Sequence, residues 1–248
     1  MTKRNDIIWL KEVKSTNRYA RMNIDRLDNL SVVSAFCQSA GRGQGDHQWH
    51  SSPGENLTFT VILKEPAIAP IEQSIISDTT ANAVVELLEK HGIKAWIKPP
   101  NDIWVDTKKI CGILTGAEFS PTESRVIIGV GLNVLHGEED FPEELRQKAG
   151  SLLSVTGKEI SLDDAERCLI AHLTKLKEDW PEKQEEYLAF YAEHCLTVGC
   201  QVQLTDGTLG TALAIGDDFS LTVRCADGTI RTVRSGEASV RAATGEYI

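Results

Sequence analysis

Apolar positions along the chain change period several times, and each period predicts an element. Short β-branched runs at IIWL (7–10), SVVSAFCQ (31–38), LTFTVILK (57–64) and IKAWIK (93–98) predict strands. KICGILTGAEF (109–119) and RVIIGVGLNVL (125–135) flank the turn Ser120-Pro121-Thr122-Glu123 and predict a hairpin. Between Ser74 and Lys90 the residues Ile75, Ile76, Ala83, Val84, Leu87 and Leu88 recur at helical spacing, and Gly92 supplies a left-handed stop. Ser15-Thr16-Asn17 predicts a helix start, because a hydroxyl there accepts an unpaired N–H of the first turn. Another helix is expected from Ser161. Its Asp163 and Asp164 sit where the dipole favours anions, and Leu169, Ile170, Leu173 and Leu176 face inward. Pro181 ends it, and one more helix runs to about Cys195. From Val198 the pattern turns to short strands separated by Asp-Gly and Gly-Asp turns, the grammar of a small antiparallel barrel. The expected division is 1–196, mixed α/β, and 197–248, all β.

Composition narrows the class. The 248 residues are 41% hydrophobic and 25% charged, the profile of an ordinary globular chain. No apolar run approaches the roughly 20 residues of a membrane helix, and the first segment is too weakly apolar for a signal peptide. A cytoplasmic protein with no membrane association is expected. Six cysteines at 37, 111, 168, 195, 200 and 225 form no CxxC, and Cys195, Cys200 and His194 lack further ligands for a metal, so free thiols are expected. The net charge of −10 disfavours a general nucleic-acid binder. Acidic clusters at 138–144, 159–166 and 178–193 read as solvated helix faces.

Against that acidic background the cations Arg42, Lys98, Lys108 and Lys109 gather in two segments. SAGRGQGDHQWHSSPGENL (39–57) places glycines at 41, 43 and 45 around one arginine, so bare backbone N–H groups could approach an anion. KPPNDIWVDTKKICGIL, from Lys98, adds lysines, an Asn-Asp pair and a glycine within an apolar run. Positive charge plus one carboxylate fits the handling of a nucleotide phosphate.

GRGQGDHQWHSSPGENL, KPPNDI, KKICGIL and VIIGVGLNV, in this order and with STN at 15–17, resemble the catalytic domain of biotin protein ligases. The resemblance covers essentially the whole chain, the β-rich end being similar to the family's SH3-like cap. It implies an α+β fold built on a mixed, class II synthetase-like sheet. It implies a reaction in which biotin and ATP form biotinyl-5′-AMP, whose biotinyl group passes to a lysine of a biotin carboxyl carrier domain. By this resemblance Lys109 and Arg42 are the catalytic cations. Ser15, Thr16, Asn17, Gln38, Gly41, Gly43, Gln44, Trp49, Lys109 and Gly112 bind biotin. Arg42, Lys98, Asn101, Asp102, Gly131, Asn133 and Arg241 serve ATP, with Asp102 beside Mg²⁺. No covalent enzyme intermediate is implied, so neither Ser nor Cys is needed as a nucleophile. Members also form homodimers, and some carry an N-terminal operator-binding domain; with the first strand beginning by residue 7, no DNA binding is expected.

Plainer roles remain open for several of these residues. Ser15 or Thr16 could only cap a helix, Gly112 could relieve packing, Asp102 could cap a turn, Trp49 could anchor a surface loop, and Arg241 could pair on the surface. Lys108, His47 and His50 are expected to be solvated. The chain also departs from the family pattern. Gln44 fills a variable place, while Gly45 and Asp46 stand where Arg and Gly are usual, leaving one arginine in the loop. Pro99 replaces the usual Trp before Pro100. The rival readings are a lipoate–protein ligase, whose usual loop is not what stands at 41–50, and a catalytically inactive cofactor-binding relative.

Overall fold

The computed structural model describes residues 7–45, 47–65, 70–119, 122–179, 182–233 and 241–242, without the side chains of 65, 70–74, 177, 241 and 242. The first half alternates strands and helices: β1 (Ile7–Leu10), α1 (Thr16–Met22), β2 (Val32–Ala35), β3 (Gly41–Arg42), β4 (Gln48–Trp49), β5 (Asn56–Glu65) and α2 (Pro70–Lys90). Then come β6 (Trp96–Lys98), β7 (Asp102–Val105), β8 (Lys108–Phe119) and β9 (Ser124–Asn133), followed by α3 (Leu152–Thr156), α4 (Leu162–Asp179) and α5 (Gln184–Glu193). Seven strands form one mixed sheet in the order β1-β2-β5-β9-β8-β7-β6. β1 runs parallel to β2, and every other pair is antiparallel.

Period-two alternation assigns each sheet face a different task. From β9, Val126, Ile128, Val130 and Leu132 point into the main core, where α2, α4 and α5 bring Leu87, Leu88, Leu169, Leu173 and Tyr191. The intervening Ile127 joins Ala20, Ile24, Leu27, Val33 and Ile62 beneath α1 on the opposite face. Further along that second face the alternate positions of β9 are Gly129 and Gly131. The sheet therefore carries a strip of bare backbone beside α1.

Most expected elements are present with shifted ends. Ser161 Oγ accepts from Asp164 N at 3.3 Å at the start of α4, and Leu169, Ile170, Leu173 and Leu176 are buried as expected. The strand expected at 93–98 shrinks to β6, because Gly92 (φ +67°) ends α2 and Ile93 N donates back to Leu88 O at 2.9 Å. β7 and α3, with 3-10 turns at Glu138–Asp140 and Glu143–Leu145, are additions to the sequence reading. Pro121 and Pro181 lie outside the described residues.

The C-terminal strands β10 (Gln201–Gln203), β11 (Leu209–Ile215), β12 (Leu221–Cys225), β13 (Ile230–Val233) and β14 (Arg241–Ala242) form an antiparallel sheet in the order β13-β12-β11-β10-β14. Asp-Gly turns place Gly207 (φ +85°) and Gly228 (φ +87°) in the left-handed region, as the turn chemistry requires. Val202, Leu204, Ala212, Leu221, Val223 and Val233 make a small core of its own, consistent with an SH3-like domain. Phe219, in the turn between β11 and β12, enters the main core instead, with its ring 5.1 Å from Tyr191 in a T-shaped contact. Among the described residues no helix is long and apolar enough to cross a membrane, and all six cysteines are free.

Candidate active site

The bare strip becomes the floor of a cavity of about 490 Å³. Gly112 pairs with Gly131 and Leu114 with Gly129 across β8–β9, while Thr58 and Thr60 face the same glycines from β5. A Cβ on Gly129 would stand 2.2 Å from Asn17 Oδ1, and one on Gly131 would stand 2.5 Å from the Trp49 ring. The glycines thus leave room for specific side chains laid flat on the sheet.

The N-terminus of α1 closes one end. Ser15 caps the helix, its Oγ accepting from Arg18 N at 3.5 Å, and its side chain also lines the cavity. Gln38 Oε1 accepts from Thr16 N at 2.7 Å and from Thr16 Oγ1 at 3.1 Å, which fixes which end of the Gln38 amide is turned away. Asn17 spans two strands: Nδ2 donates to Leu114 O at 2.9 Å, and Oδ1 accepts from Thr60 Oγ1 at 2.6 Å. This end is a rigid array of neutral polar groups.

The opposite end is charged. β7 and β8 pair with a bulge that leaves Ile110 unpaired between Lys109 and Cys111, re-aiming the start of β8. There Lys109 Nζ meets Asp102 Oδ1 at 2.6 Å, both groups being roughly one-third exposed or less (33% and 26%). Lys98 Nζ lies 4.8 Å from the Trp104 ring centroid, a cation–π contact. Asn101 Nδ2 donates to Ile113 O, and Ile113 N returns a bond to Asn101 O at 3.0 Å, so Asn101 clamps the Pro-Pro-Asn turn onto β8. Arg42 and Lys148 complete the cations of the wall, and Asp102 is its single carboxylate among the described residues. In a chain of net charge −10 this end carries a local positive potential suited to an anion.

β3 and β4 form a hairpin over the floor. Gly41 pairs with Trp49, and a Cβ on Gly41 would meet Trp49 O at 2.5 Å. Gly43 N donates to His47 O at 2.8 Å, so that amide serves the hairpin and not an open anion cradle; of the loop glycines, Gly45 at the tip has positive φ. The indole of Trp49 lies against Gly112 and Gly131, with Nε1 buried and without a hydrogen-bond partner. It is part of the pocket, not a surface anchor.

Behind the hairpin, the fully buried His136 accepts from Ser52 N through Nε2 at 3.3 Å. Burial, then the nearby His50, lowers its pKa from 6.5 to about 4. A depressed imidazole pKa contributes stability above pH 6.5 that is lost as pH falls toward 4, since the unfolded chain binds the proton first. Buried Glu166 and Asp78, raised by their own desolvation, act with the opposite sign. The expected result is therefore read at the residue: NMR should find the His136 ring neutral until about pH 4. Titration near 6.5 would refute the packing described.

The sequence-predicted residues Ser15, Thr16, Asn17, Gln38, Arg42, Gly43 and Gln44 line one cavity. So do Trp49, Lys98, Asn101, Asp102, Lys109, Gly112 and Gly131. Gly41 supports Trp49 from outside the wall. Asn133 is buried behind it, accepting from Asn56 Nδ2 at 2.7 Å and donating to Gly150 O at 3.0 Å, so it positions a neighbouring segment. The Arg241 side chain lies outside the described structure. Lys108 is half-buried and donates to Arg146 O, a scaffold role in place of the expected solvated one. Trp104, Gly129, Leu145, Lys148 and Ala149 line the cavity without having been singled out; the alternation of VIIGVGL could have flagged Gly129. Burial pushes the Cys111 thiol up, which leaves it protonated and unreactive beneath the floor. No group of His, Cys, Asp and Glu able to hold a metal occurs among the described residues.

Residues 9–133 match the model of the Biotin/lipoate A/B protein ligase family. The chain is 36% identical over 159 residues (62% of this chain, 48% of the relative) to the bifunctional ligase/repressor BirA of Bacillus spizizenii. It is 32% identical over 136 residues (53% and 37%) to biotin–protein ligase 1, chloroplastic, of Arabidopsis thaliana. The chain thus spans about half or less of the length of these curated relatives. Among solved structures, it superposes on the biotin protein ligase from Aquifex aeolicus in complex with biotin and ATP with a TM-score of 0.80 at 25% identity, covering 96% of this chain and 99% of that one.

Proposed function

Because this chain belongs to the biotin/lipoate A/B protein ligase family, we propose that its cavity activates biotin with ATP and delivers the biotinyl group to a carrier lysine. One observation carries the reading: a bare-backbone trough runs from a neutral polar array at α1 to a cationic end built around Lys109. A ureido ring needs matched neutral donors and acceptors; a carboxylate meeting a phosphate needs cations.

In the proposed mechanism Gln38, oriented by Thr16, and the α1 terminus receive the ureido ring. The acyl tail lies over Gly112 and Gly131. A biotin carboxylate oxygen attacks the α-phosphorus, the bond to the β-phosphate oxygen breaks, and diphosphate leaves with the electron pair. Lys109 offsets the charge on the five-coordinate phosphorus, and Asp102 holds that ammonium in place. Arg42 and Lys98 bind the phosphates. The Trp49 hairpin excludes water from the mixed anhydride. The carrier lysine amine then attacks the acyl carbon, releasing AMP. Asp102 as the wall's single carboxylate suits a Mg²⁺ that arrives on ATP, where the ion would neutralise triphosphate charge. We assign residues 1–196 to catalysis and 197–248 to an accessory domain, with Arg241 serving the nucleotide end. A cytoplasmic enzyme acting on a biotin carboxyl carrier domain completes the proposal.

The test is mass spectrometry of adenylates formed from Mg-ATP with biotin and lipoate offered in parallel. Biotinyl-AMP alone is expected; lipoyl-AMP alone, or neither from folded protein, would overturn the reading. A second outcome is expected of the loop. Each charge-assisted bond contributes roughly tenfold in affinity. With one arginine, this loop should release biotinyl-AMP at least about tenfold faster than an arginine-rich relative does. An equally slow off-rate would sink this.

A further inference from the structure

Leu145–Gly150 bears no motif, yet its Leu145, Lys148 and Ala149 line the cavity that holds the cationic end. It is fixed from several directions. Lys109 N donates to Lys148 O at 2.8 Å, and Gly150 N donates to Lys109 O at 3.1 Å. Asn133 Nδ2 holds Gly150 O at 3.0 Å, and Lys108 Nζ holds Arg146 O. The main chain of Lys148 is therefore bonded to the main chain of Lys109, and its side chain starts at the charged end of the site.

We propose that Lys148 is a nucleotide-binding residue whose ammonium contacts the phosphates of ATP and of the acyl adenylate. The inference rests on the ligase reading for the identity of the acyl group, and on the cavity alone for the nucleotide. Three observations support it. The loop at 41–49 supplies one arginine, so much of the positive charge must come from elsewhere in the wall. Lys148 stands on a pinned segment, so its charge is delivered without ordering a loop, which lowers the entropy lost on binding. Leu145 and Ala149, its neighbours in the same wall, offer apolar surface for a purine ring. The side chain is exposed, so solvent screens the bond it makes and its contribution is moderate. The competing reading is a surface lysine that edges the cavity and touches nothing bound there.

The two readings separate in the full-length protein. Calorimetric titration with Mg-ATP should find Kd raised about tenfold in Lys148→Met, with biotin affinity within about twofold of wild type. Lys148→Arg should recover most of the loss, melting temperatures should agree, and ATP affinity should fall less steeply with salt in Lys148→Met than in wild type. ATP affinity unchanged in Lys148→Met, or no recovery in Lys148→Arg, would overturn the inference while leaving the ligase reading intact. The expected pattern of ATP binding in a protein that makes no biotinyl-AMP would uphold it and overturn the ligase reading.

Discussion

Lys109→Met should lower the rate of biotinyl-AMP formation by at least roughly 10²–10³-fold, the usual cost of deleting one preorganised group that faces developing charge. The size of the effect follows from placement. The bulge at Ile110 sets the direction of Lys109, Asp102 holds its ammonium at 2.6 Å, and Lys148 and Gly150 lock its main chain from the other side. A mobile lysine would be ordered only when ligand arrives; this one is ordered beforehand. Lys109→Arg should restore little, because a planar guanidinium cannot occupy the position of a compact ammonium held by a single carboxylate oxygen. The melting temperature should move little, since the pair is partly exposed. Rapid-quench measurement of the adenylate decides, and a Lys109→Met rate within about tenfold of wild type would remove this lysine from the mechanism.

Gly129→Ala should weaken biotin binding by roughly two orders of magnitude, and it acts through Asn17. The new methyl group would sit 2.2 Å from Asn17 Oδ1. Retreat of the strand is blocked, because β9 is bonded to β5 and to β8 along its length. Asn17 must therefore swing out, giving up its bonds with Thr60 and with Leu114 O and detaching the start of α1 from the sheet. The loss of two partly buried hydrogen bonds corresponds to about 1–3 kcal/mol of stability. Calorimetry with biotin tests the first effect. For the second, Gly129→Ala and Asn17→Ala should be non-additive: in an Asn17→Ala background, where those two bonds are already gone, Gly129→Ala should cost little further stability. Wild-type biotin affinity in Gly129→Ala would refute the account.

How far this was legible in the sequence depends on the range of the interaction. Strands with period-two runs and helices with caps announce themselves locally, so β5, the β8–β9 hairpin and α4 were expected close to where they stand. β7 was missed because its four residues begin with the Asp of the Asn-Asp pair, directly after Pro99, Pro100 and Asn101, and its strand character comes from pairing with both neighbours. Asn133 was placed at the ligand, but it ends β9, where Asn56 and Gly150 claim its amide. The loop glycines looked like an anion cradle, and Gly43 instead spends its amide inside the hairpin. Lys148 had no signal to offer: it reaches the site only because the chain returns from Asn133 to run beside Lys109, a tertiary fact with no local signature.

That return also sets a calendar for the chain as it is made. Asn56 pairs with Asn133, and Lys109 bridges to Ala149, so the ladders that shape the floor and the charged wall join residues far apart in the order of synthesis. A nascent chain that has emerged only through β8 holds Arg42, Lys98 and Lys109 but lacks β9 between β5 and β8. Such a chain exposes unpaired strand edges, and its slow, non-local closure is the kind of step at which partly folded chains associate wrongly. The ribosome must release the chain past Gly150 before any ligand has a complete pocket to stabilise.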